Sequence, residues 1–338
     1  MDPNVNMKVA ALPQPRAEGL SLSAIHFRNQ REATPRALLT AHRSLLTFFF
    51  LLLTAHCSLL TASAAWTRQP SGTMSWLRGV FFLDQNRGWV AGSGGTLLET
   101  SDGGQTWRRL NTLTKDNLRD VYFASEKIGW LVVERDVLKL KTNDEPRTYL
   151  LKTEDGGLTW RPVFLNGADV NARLVRAVFA DAGRGWVFGE TGVVFATTDG
   201  GAHWVRQPAP TKHLLLGGAF VDYTHGWLVG AGATILQTNN GGVSWQSGNV
   251  RDGAGTRFTS ASFVGNSLGW AVGTAGRIFA TTDGGHTWFA QRSNVDVDLL
   301  DVKFIDAANG WAVGSQGTLL STRDGGMHWF TTSSVTSH

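Results

Sequence analysis

The sequence predicts an all-β protein, a β-propeller of four-stranded blades with six complete blades and an extra N-terminal strand. Three observations carry this. A Gly-Trp pair recurs six times, ending at Trp89, Trp130, Trp186, Trp227, Trp270 and Trp311. An octet of the form [Ser/Thr]-x-Asp-x-Gly-x-x-Trp recurs in phase with it, closing on Trp107, Trp160, Trp204, Trp245, Trp288 and Trp329. A phenylalanine stands seven residues before each Gly-Trp tryptophan, at Phe82, Phe123, Phe179, Phe220, Phe263 and Phe304. The repeats absorb twelve of the fourteen tryptophans, and their period is mostly 41 to 44 residues. Four short apolar segments per period is the pattern of a propeller blade, whereas a parallel β-helix uses shorter repeats.

The first unit justifies each strand in turn. "LRGVFF" is apolar on both faces, as an inner strand must be; "GWVAG" and "GTLLET" follow across a glycine turn, and "TWRRL" comes after the octet. Blades cannot bury their two faces alone, so neighbours must do it for each other. The octet between the third and fourth strands reads as a fastener. Its carboxylate, at Asp102, Asp155, Asp199, Asp283 and Asp324, can accept backbone N–H groups across a turn. Its glycines permit positive φ. Its tryptophan adds a large apolar plate. The fourth copy carries Asn240 in place of the aspartate, which keeps an acceptor but loses the charge that a metal ligand or general base needs.

Two features break the regularity. The separation between the two tryptophan landmarks is 18 residues in five units and 30 in the second. The additional residues fall within 131–152, where "DVLKLKT" alternates and "NDEPR" would turn the chain, predicting a longer protruding hairpin that is either a decorated loop or a partner-contacting arm. At the other end, Trp66 lies 11 residues before Leu77, as Trp107 does before Leu118. That spacing makes Trp66 an outer-strand tryptophan, compatible with a six-bladed ring plus one strand or with an incomplete seventh blade.

Residues 1–64 read as a leader. Arg36 and Arg43 precede an apolar region at about 44–61, which ends in Ala62-Ser63-Ala64, so a secretory signal cleaved before Ala65 is expected, with an uncleaved anchor as the alternative. Cys57, the only cysteine, follows His56, where a lipoprotein signal places a small residue. The leader also explains the pI of about 9.4. It holds six basic and three acidic residues, leaving residues 65–338 with 25 of the 31 basic against 24 of the 27 acidic. A nearly neutral body offers no broad footprint for a nucleic-acid backbone.

The octets resemble the Asp-box, or BNR repeat, of sialidases and related propellers. The combination of "L-x-x-V-x-F", "GW-x-V-G", "G-T-L-L-x-T" and "DGG-x-TW" resembles the photosystem II stability/assembly factor-like propellers over residues 65–338. The resemblance implies a ring, usually of seven blades, closed by an N-terminal strand joined to three C-terminal ones; this chain departs from it because its last unit ends with its own outer strand. It also implies a non-enzymatic assembly chaperone that binds a membrane-protein subunit through an arginine-rich surface. Carried onto this sequence, that surface maps to Arg78 and Arg119, which open the first inner strands, and to Arg176, one step along in the third; Arg257 precedes the fifth. Such guanidiniums could grip carboxylates in pairs. The expected protein is a monomer, periplasmic or extracellular (or in the thylakoid lumen of a photosynthetic host), with no cofactor, metal or nucleic acid.

The alternative is an Asp-box glycoside hydrolase of the sialidase or xyloglucanase kind. A sialidase needs an arginine cluster and a tyrosine nucleophile paired with a glutamate. Only Tyr122, Tyr149 and Tyr223 exist, no Arg-Ile-Pro-type stretch precedes the first octet, and no His/Asp/Glu cluster has metal spacing.

Overall fold

The computed structural model describes residues 67–136, 138, 140, 145–165 and 172–332. They form six antiparallel sheets in chain order, each a meander of four strands. The first blade is Leu77–Phe82, Gly88–Gly92, Leu97–Thr100 and Arg108–Leu110, and the second is Asn117–Phe123, Gly129–Glu134, Thr148–Thr153 and Arg161–Val163. The third comprises Leu174–Phe179, Gly185–Gly189, Val194–Thr197 and Val205–Arg206, the fourth Leu215–Phe220, Gly226–Gly230, Ile235–Thr238 and Gln246–Ser247. The fifth is Phe258–Val264, Leu268–Gly273, Ile278–Thr281 and Thr287–Gln291, the sixth Leu299–Phe304, Gly310–Gly314, Leu319–Thr322 and Phe330–Thr331. The fifth sheet gains a short parallel strand, Asn249–Val250, against Thr287–Trp288. No helix among the described residues is long and apolar enough to cross a membrane.

The recurring spacing has a steric cause. Phe82 pairs in register with Gly88, and a β-carbon on that glycine would sit 2.6 Å from the Phe82 ring. The same holds for Phe123 over Gly129 and for Phe179 over Gly185. Each phenylalanine therefore lies flat on its own blade's Gly-Trp glycine, and the adjacent tryptophan is left to point at the next blade. Trp89 stacks on Phe123 with ring centroids 3.6 Å apart, Trp130 on Phe179 at 3.9 Å and Trp186 on Phe220 at 3.6 Å. Trp227 on Phe263 and Trp270 on Phe304 complete the series at 3.5 Å. The octet tryptophan then meets the same phenylalanine edge-on, as Trp160 does Phe123 at 6.1 Å. Every junction is thus a three-ring stack, worth about 0.5–1.5 kcal/mol per aromatic pair beyond the area it buries.

Five hydrophobic clusters follow from these stacks, one at each junction between consecutive blades. Among the described residues, no cluster joins the sixth blade to the first. The positions equivalent to Leu118, Val121 and Phe123, which are 0 %, 3 % and 0 % exposed, are Leu77, Val80 and Phe82 in the first blade, at 43 %, 63 % and 42 %. On the sixth blade Val313 is 43 % exposed, whereas its equivalent Val272 is buried. Among the described residues, the facing sides of the first and sixth blades thus lack the packing that seals the other five junctions.

The predicted extra N-terminal strand starts outside the described residues at Trp66, and Thr67–Trp76 carries no strand. The longer hairpin of the second blade is present at its base. Glu134 pairs with Thr148, and the Arg135 N–H donates to the Arg147 carbonyl at 2.9 Å. Leu138, the best-placed residue of the predicted alternating segment, is outside any strand and fully in solvent, and most of the tip lies outside the described residues.

Candidate functional site

The octets come first because their geometry decides whether they are reactive. In the first, the Thr100 hydroxyl donates to Asp102 Oδ1 at 2.8 Å and accepts from the Gly104 N–H at 2.9 Å. Asp102 Oδ1 also accepts the Thr106 N–H at 2.9 Å, and its Oδ2 accepts the Thr106 hydroxyl at 2.5 Å. Gly103 and Gly104 have φ of 72° and 91°, values that only glycine adopts without strain. Asp155 repeats this network with Thr153 and Thr159. Asp283 repeats its Oδ1 part with Thr281 and Thr287. In Asp199 and Asp324 a histidine takes the last place, His203 and His328 each lying 2.7 Å from a carboxylate oxygen through Nδ1. Asn240 holds the same turn with its amide, accepting from Thr238 and Ser244 and donating to the Ser244 hydroxyl.

These bonds stabilise the ionised carboxylate. Donation by the Thr106 hydroxyl and N–H holds Asp102 down at about 2, and Thr159 does the same for Asp155. The His328 N–H and ring hold Asp324 at about 2, and the His203 N–H drives Asp199 lower still. Most of the acceptor capacity of these carboxylates is thus spent within their own turns. Each octet sits in its own blade, and no group of three or more His, Cys, Asp or Glu side chains among the described residues could hold a metal ion.

The octet tryptophans pack inward behind these turns. Trp160, Trp245, Trp288 and Trp329 are buried; Trp204 is half-buried, and so is Trp107, which belongs to the blade at the open end. Three of the Gly-Trp tryptophans tie blades together through the indole N–H, whereas those of Trp89 and Trp130 find no acceptor among the described residues. Trp186 donates to the Gly241 carbonyl at 2.9 Å, Trp227 to Gly284 at 2.7 Å and Trp270 to Gly325 at 2.8 Å, each bond reaching the octet of the next blade.

The tyrosines are poorly suited to nucleophilic chemistry. Burial pushes Tyr122 up to about 12, and its hydroxyl is spent on the Phe179 carbonyl at 2.9 Å. Burial also raises Tyr149, whose hydroxyl donates to Asp116 at 2.9 Å. Tyr223 lies exposed under the Arg184 guanidinium, 4.3 Å from its ring centre.

The three expected arginines have different surroundings. Arg78 and Arg119 each occupy the bulged position of an inner strand, where the register skips between Leu77 and Gly79 and between Leu118 and Asp120. Arg78 is exposed. Arg119 pairs with Glu134 at 2.5 Å and is mostly buried. Arg176 sits one residue along, at the position held by Gly79, Asp120 and Asp301 in other blades, where inner strands meet. There it faces Asp120, whose carboxyl is raised by burial despite the opposing Arg176 charge and an N–H bond from Ala177 at 3.0 Å.

Arg119 instead belongs to a network that bridges the second and third blades. Glu134 also meets Arg173 at 3.5 Å; Arg173 reaches Glu190 at 3.0 Å, and Glu190 meets Arg147 at 3.3 Å. Three guanidiniums thus share two carboxylates, and Arg135 stacks over the Tyr149 ring at 4.7 Å beside them. The buried Nε–H groups of Arg119 and Arg147 have no acceptor among the described residues. This leaves a partly desolvated surface with surplus positive charge and spare donors. Sequence reasoning missed Arg147 and Arg173. The signal was present five residues after each Gly-Trp glycine, which is Ser93, Ala231, Thr274 or Ser315 in four blades but Glu134 and Glu190 in these two.

The chain was compared with known proteins. The family described as photosynthesis system II assembly factor YCF48 matches over residues 59–148, 107–215, 203–294 and 287–337. The photosystem II assembly lipoprotein Ycf48 of Synechococcus sp. (strain CC9902) is 30% identical over 107 residues, 31% of this chain and 28% of that protein, so the alignment spans less than a third of the relative. Among solved structures, YCF48 bound to D1 peptide superposes with a TM-score of 0.61 at 22% identity, covering 78% of this chain and 82% of that one. YCF48 from Cyanidioschyzon merolae gives 0.62 at 19% identity, covering 80% and 88%. An ancestral GH74 enzyme gives 0.60 at 14% identity, covering 80% of this chain and 40% of the enzyme, a likeness of fold alone.

Proposed function

Because the chain belongs to the photosystem II assembly factor YCF48 family of propellers, we propose that it is a non-enzymatic binding platform that holds an exposed segment of a membrane-protein subunit while a larger complex is assembled. A solved relative described as bound to a D1 peptide supports a polypeptide as the partner. The observation that carries the reading within this chain is the bridge of Arg119, Arg147 and Arg173 across Glu134 and Glu190. Arginine forks bind carboxylates in bidentate fashion, and a guanidinium already half stripped of water loses less on docking. A client carboxylate would offset the surplus charge of three guanidiniums on two carboxylates. Arg78 and Arg176, on the inner strands of the first and third blades, are the further cationic residues of this reading. The protein is exported, with residues 1–64 as its leader, and works in the periplasm or in a photosynthetic lumen.

The test is capture of an acidic peptide with a free C-terminal carboxylate, read by fluorescence anisotropy. Arg173→Ala combined with Arg78→Ala is expected to weaken binding at least tenfold and to flatten its salt dependence. Binding unchanged in that variant, at unaltered thermal stability, would reject the assignment. Arg173→Lys separates the two sources of affinity, since it keeps the charge and loses the fork.

A further inference from the structure

We propose that a cavity between the fourth and fifth blades binds an uncharged sugar ring, free or at the end of a glycan. The repeat itself singles out this place. In each blade the Gly-Trp tryptophan pairs in register with one residue of the third strand, and that residue pairs with one of the fourth. The two positions are Glu99 and Arg108 in the first blade and Lys152 and Arg161 in the second. Ion pairs fill them there, Glu99 meeting Arg108 at 2.5 Å and Lys152 meeting Glu154 at 2.9 Å. The third and fifth blades carry Ala196 with Val205 and Ala280 with Phe289, which bring no polar side chain. The sixth carries Ser321 with Phe330, and the Ser321 hydroxyl bonds that of Thr332 at 3.3 Å. Only the fourth places an amide at both positions, Gln237 and Gln246.

These amides line a cavity of about 260 Å³. Gln237 is 8 % exposed and makes no side-chain hydrogen bond among the described residues. Buried amides in folded proteins are nearly always paired, so this one holds a donor and an acceptor ready for an occupant. The fifth blade closes the other side with Asn266, Ser267 and His286. Two imidazoles face the space with Nδ1 already anchored, His225 on Asp222 Oδ2 at 2.9 Å and His286 on the Asp283 carbonyl at 2.7 Å. In the neutral ring that leaves Nε2 as an acceptor.

The lining selects the ligand by what it lacks. No lysine or arginine borders the cavity, so a phosphate or carboxylate finds no countercharge. A planar base needs a free ring face, but Trp227 is 2 % exposed, stacked on Phe263 at 3.5 Å and donating to the Gly284 carbonyl. Amides and hydroxyls around the wall disfavour an apolar guest. A ligand dense in hydroxyls fits, because each hydroxyl both donates and accepts, as the amides do. The volume falls short of the roughly 300–1,000 Å³ of drug-sized sites, which limits the occupant to about one ring. Asn239 and Gln246 at the rim are exposed, leaving a path by which a further unit could extend into solvent. The site lies on blades other than those of the arginine network and stands independently of it.

The experiment is saturation-transfer NMR on the full chain, titrated separately with glucose, galactose and N-acetylglucosamine. Saturable binding of at least one sugar is expected. Gln246→Arg, which puts the first blade's residue type at the exposed rim, is expected to weaken it at least tenfold. Gln237→Ala is expected to do the same at an unchanged circular dichroism spectrum; if that variant fails to fold, Gln246→Arg decides. A trimer of the bound sugar separates the two sources. Binding at least tenfold tighter than the single ring supports a glycan end, and equal binding supports a free sugar. The proposal is overturned if none of the three sugars saturates, or if Gln246→Arg binds as well as the parent chain. It is equally overturned if inorganic phosphate at equal concentration displaces the sugar, because the cavity is then an anion site.

Discussion

The second blade and the first are built from the same sequence pattern, yet they meet different fates. In the second, Leu118, Val121 and Phe123 are sealed under the first blade and Phe123 is clamped between Trp89 and Trp160. In the first, Leu77, Val80 and Phe82 present the same chemistry to solvent, and among the described rings Phe82 meets its own Trp107 alone, edge-on at 6.1 Å. The lesson is that a blade's contribution to stability lives in the junction and not in the sheet, as expected of repeat proteins in which each unit contacts only its neighbours.

The largest effect that tests this contrast is truncation of the phenylalanine. Phe123→Ala is expected to cost about 3–5 kcal/mol, the range for emptying a packed aromatic site. Phe82→Ala, with little to lose, is expected to cost about 1 kcal/mol or less, on the scale of surface changes. Urea unfolding of the two variants measures the difference, and equal losses would mean that the first blade's outer face is covered in solution. A smaller effect separates the tryptophans. Trp186→Phe keeps much of the stack but removes one of two donors to the Gly241 carbonyl, which retains Gln207 Nε2 at 3.1 Å, so the expected loss is about 0.5–1.5 kcal/mol. Trp311→Phe, on the open wall, is expected to change the unfolding midpoint by less than a third as much.

The smallest effect sharpens the comparison among octets. Asp102, Asp155 and Asp324 are held at about 2 in the folded protein, below the usual carboxylate value. A depressed folded pKa means that the unfolded chain takes up protons first as pH falls. Their stabilisation is therefore complete above about pH 4, and it is lost progressively down to about pH 2. Asn240 cannot titrate, so the fourth octet contributes no such dependence. Asp155→Asn is expected to flatten the fall in melting temperature between pH 4 and 2, and Asn240→Asp to steepen it. A pH profile unaffected by either change would remove the octet carboxylates from the acid response.

Much of this architecture was legible before any coordinates. The first strand was readable to its ends, because "LRGVFF" and Leu77–Phe82 coincide, and the octet turn was readable because a threonine, an aspartate and two glycines can close it using only local hydrogen bonds. The Phe-to-Trp interval was visible as a number, but its cause was not, since it depends on Phe82 lying across Gly88 on the paired strand. The cationic surface was half legible. Arg119 could be picked out as an inner-strand residue, but Arg147 and Arg173 lie 28 and 54 residues further along the chain, and only the side-by-side packing of the second and third blades brings them to the same two glutamates.

By itself the sequence determined the repeat, the number of complete blades, the turns that fasten each one and the identity of the rings that face each neighbour. All of these depend on bonds within a sheet or within a few residues. The tertiary structure alone decided which faces of the described blades are sealed and where the arginines gather. Those outcomes depend on how sheets distant in the chain meet in space, and identical local patterns cannot distinguish a blade with a neighbour from one without.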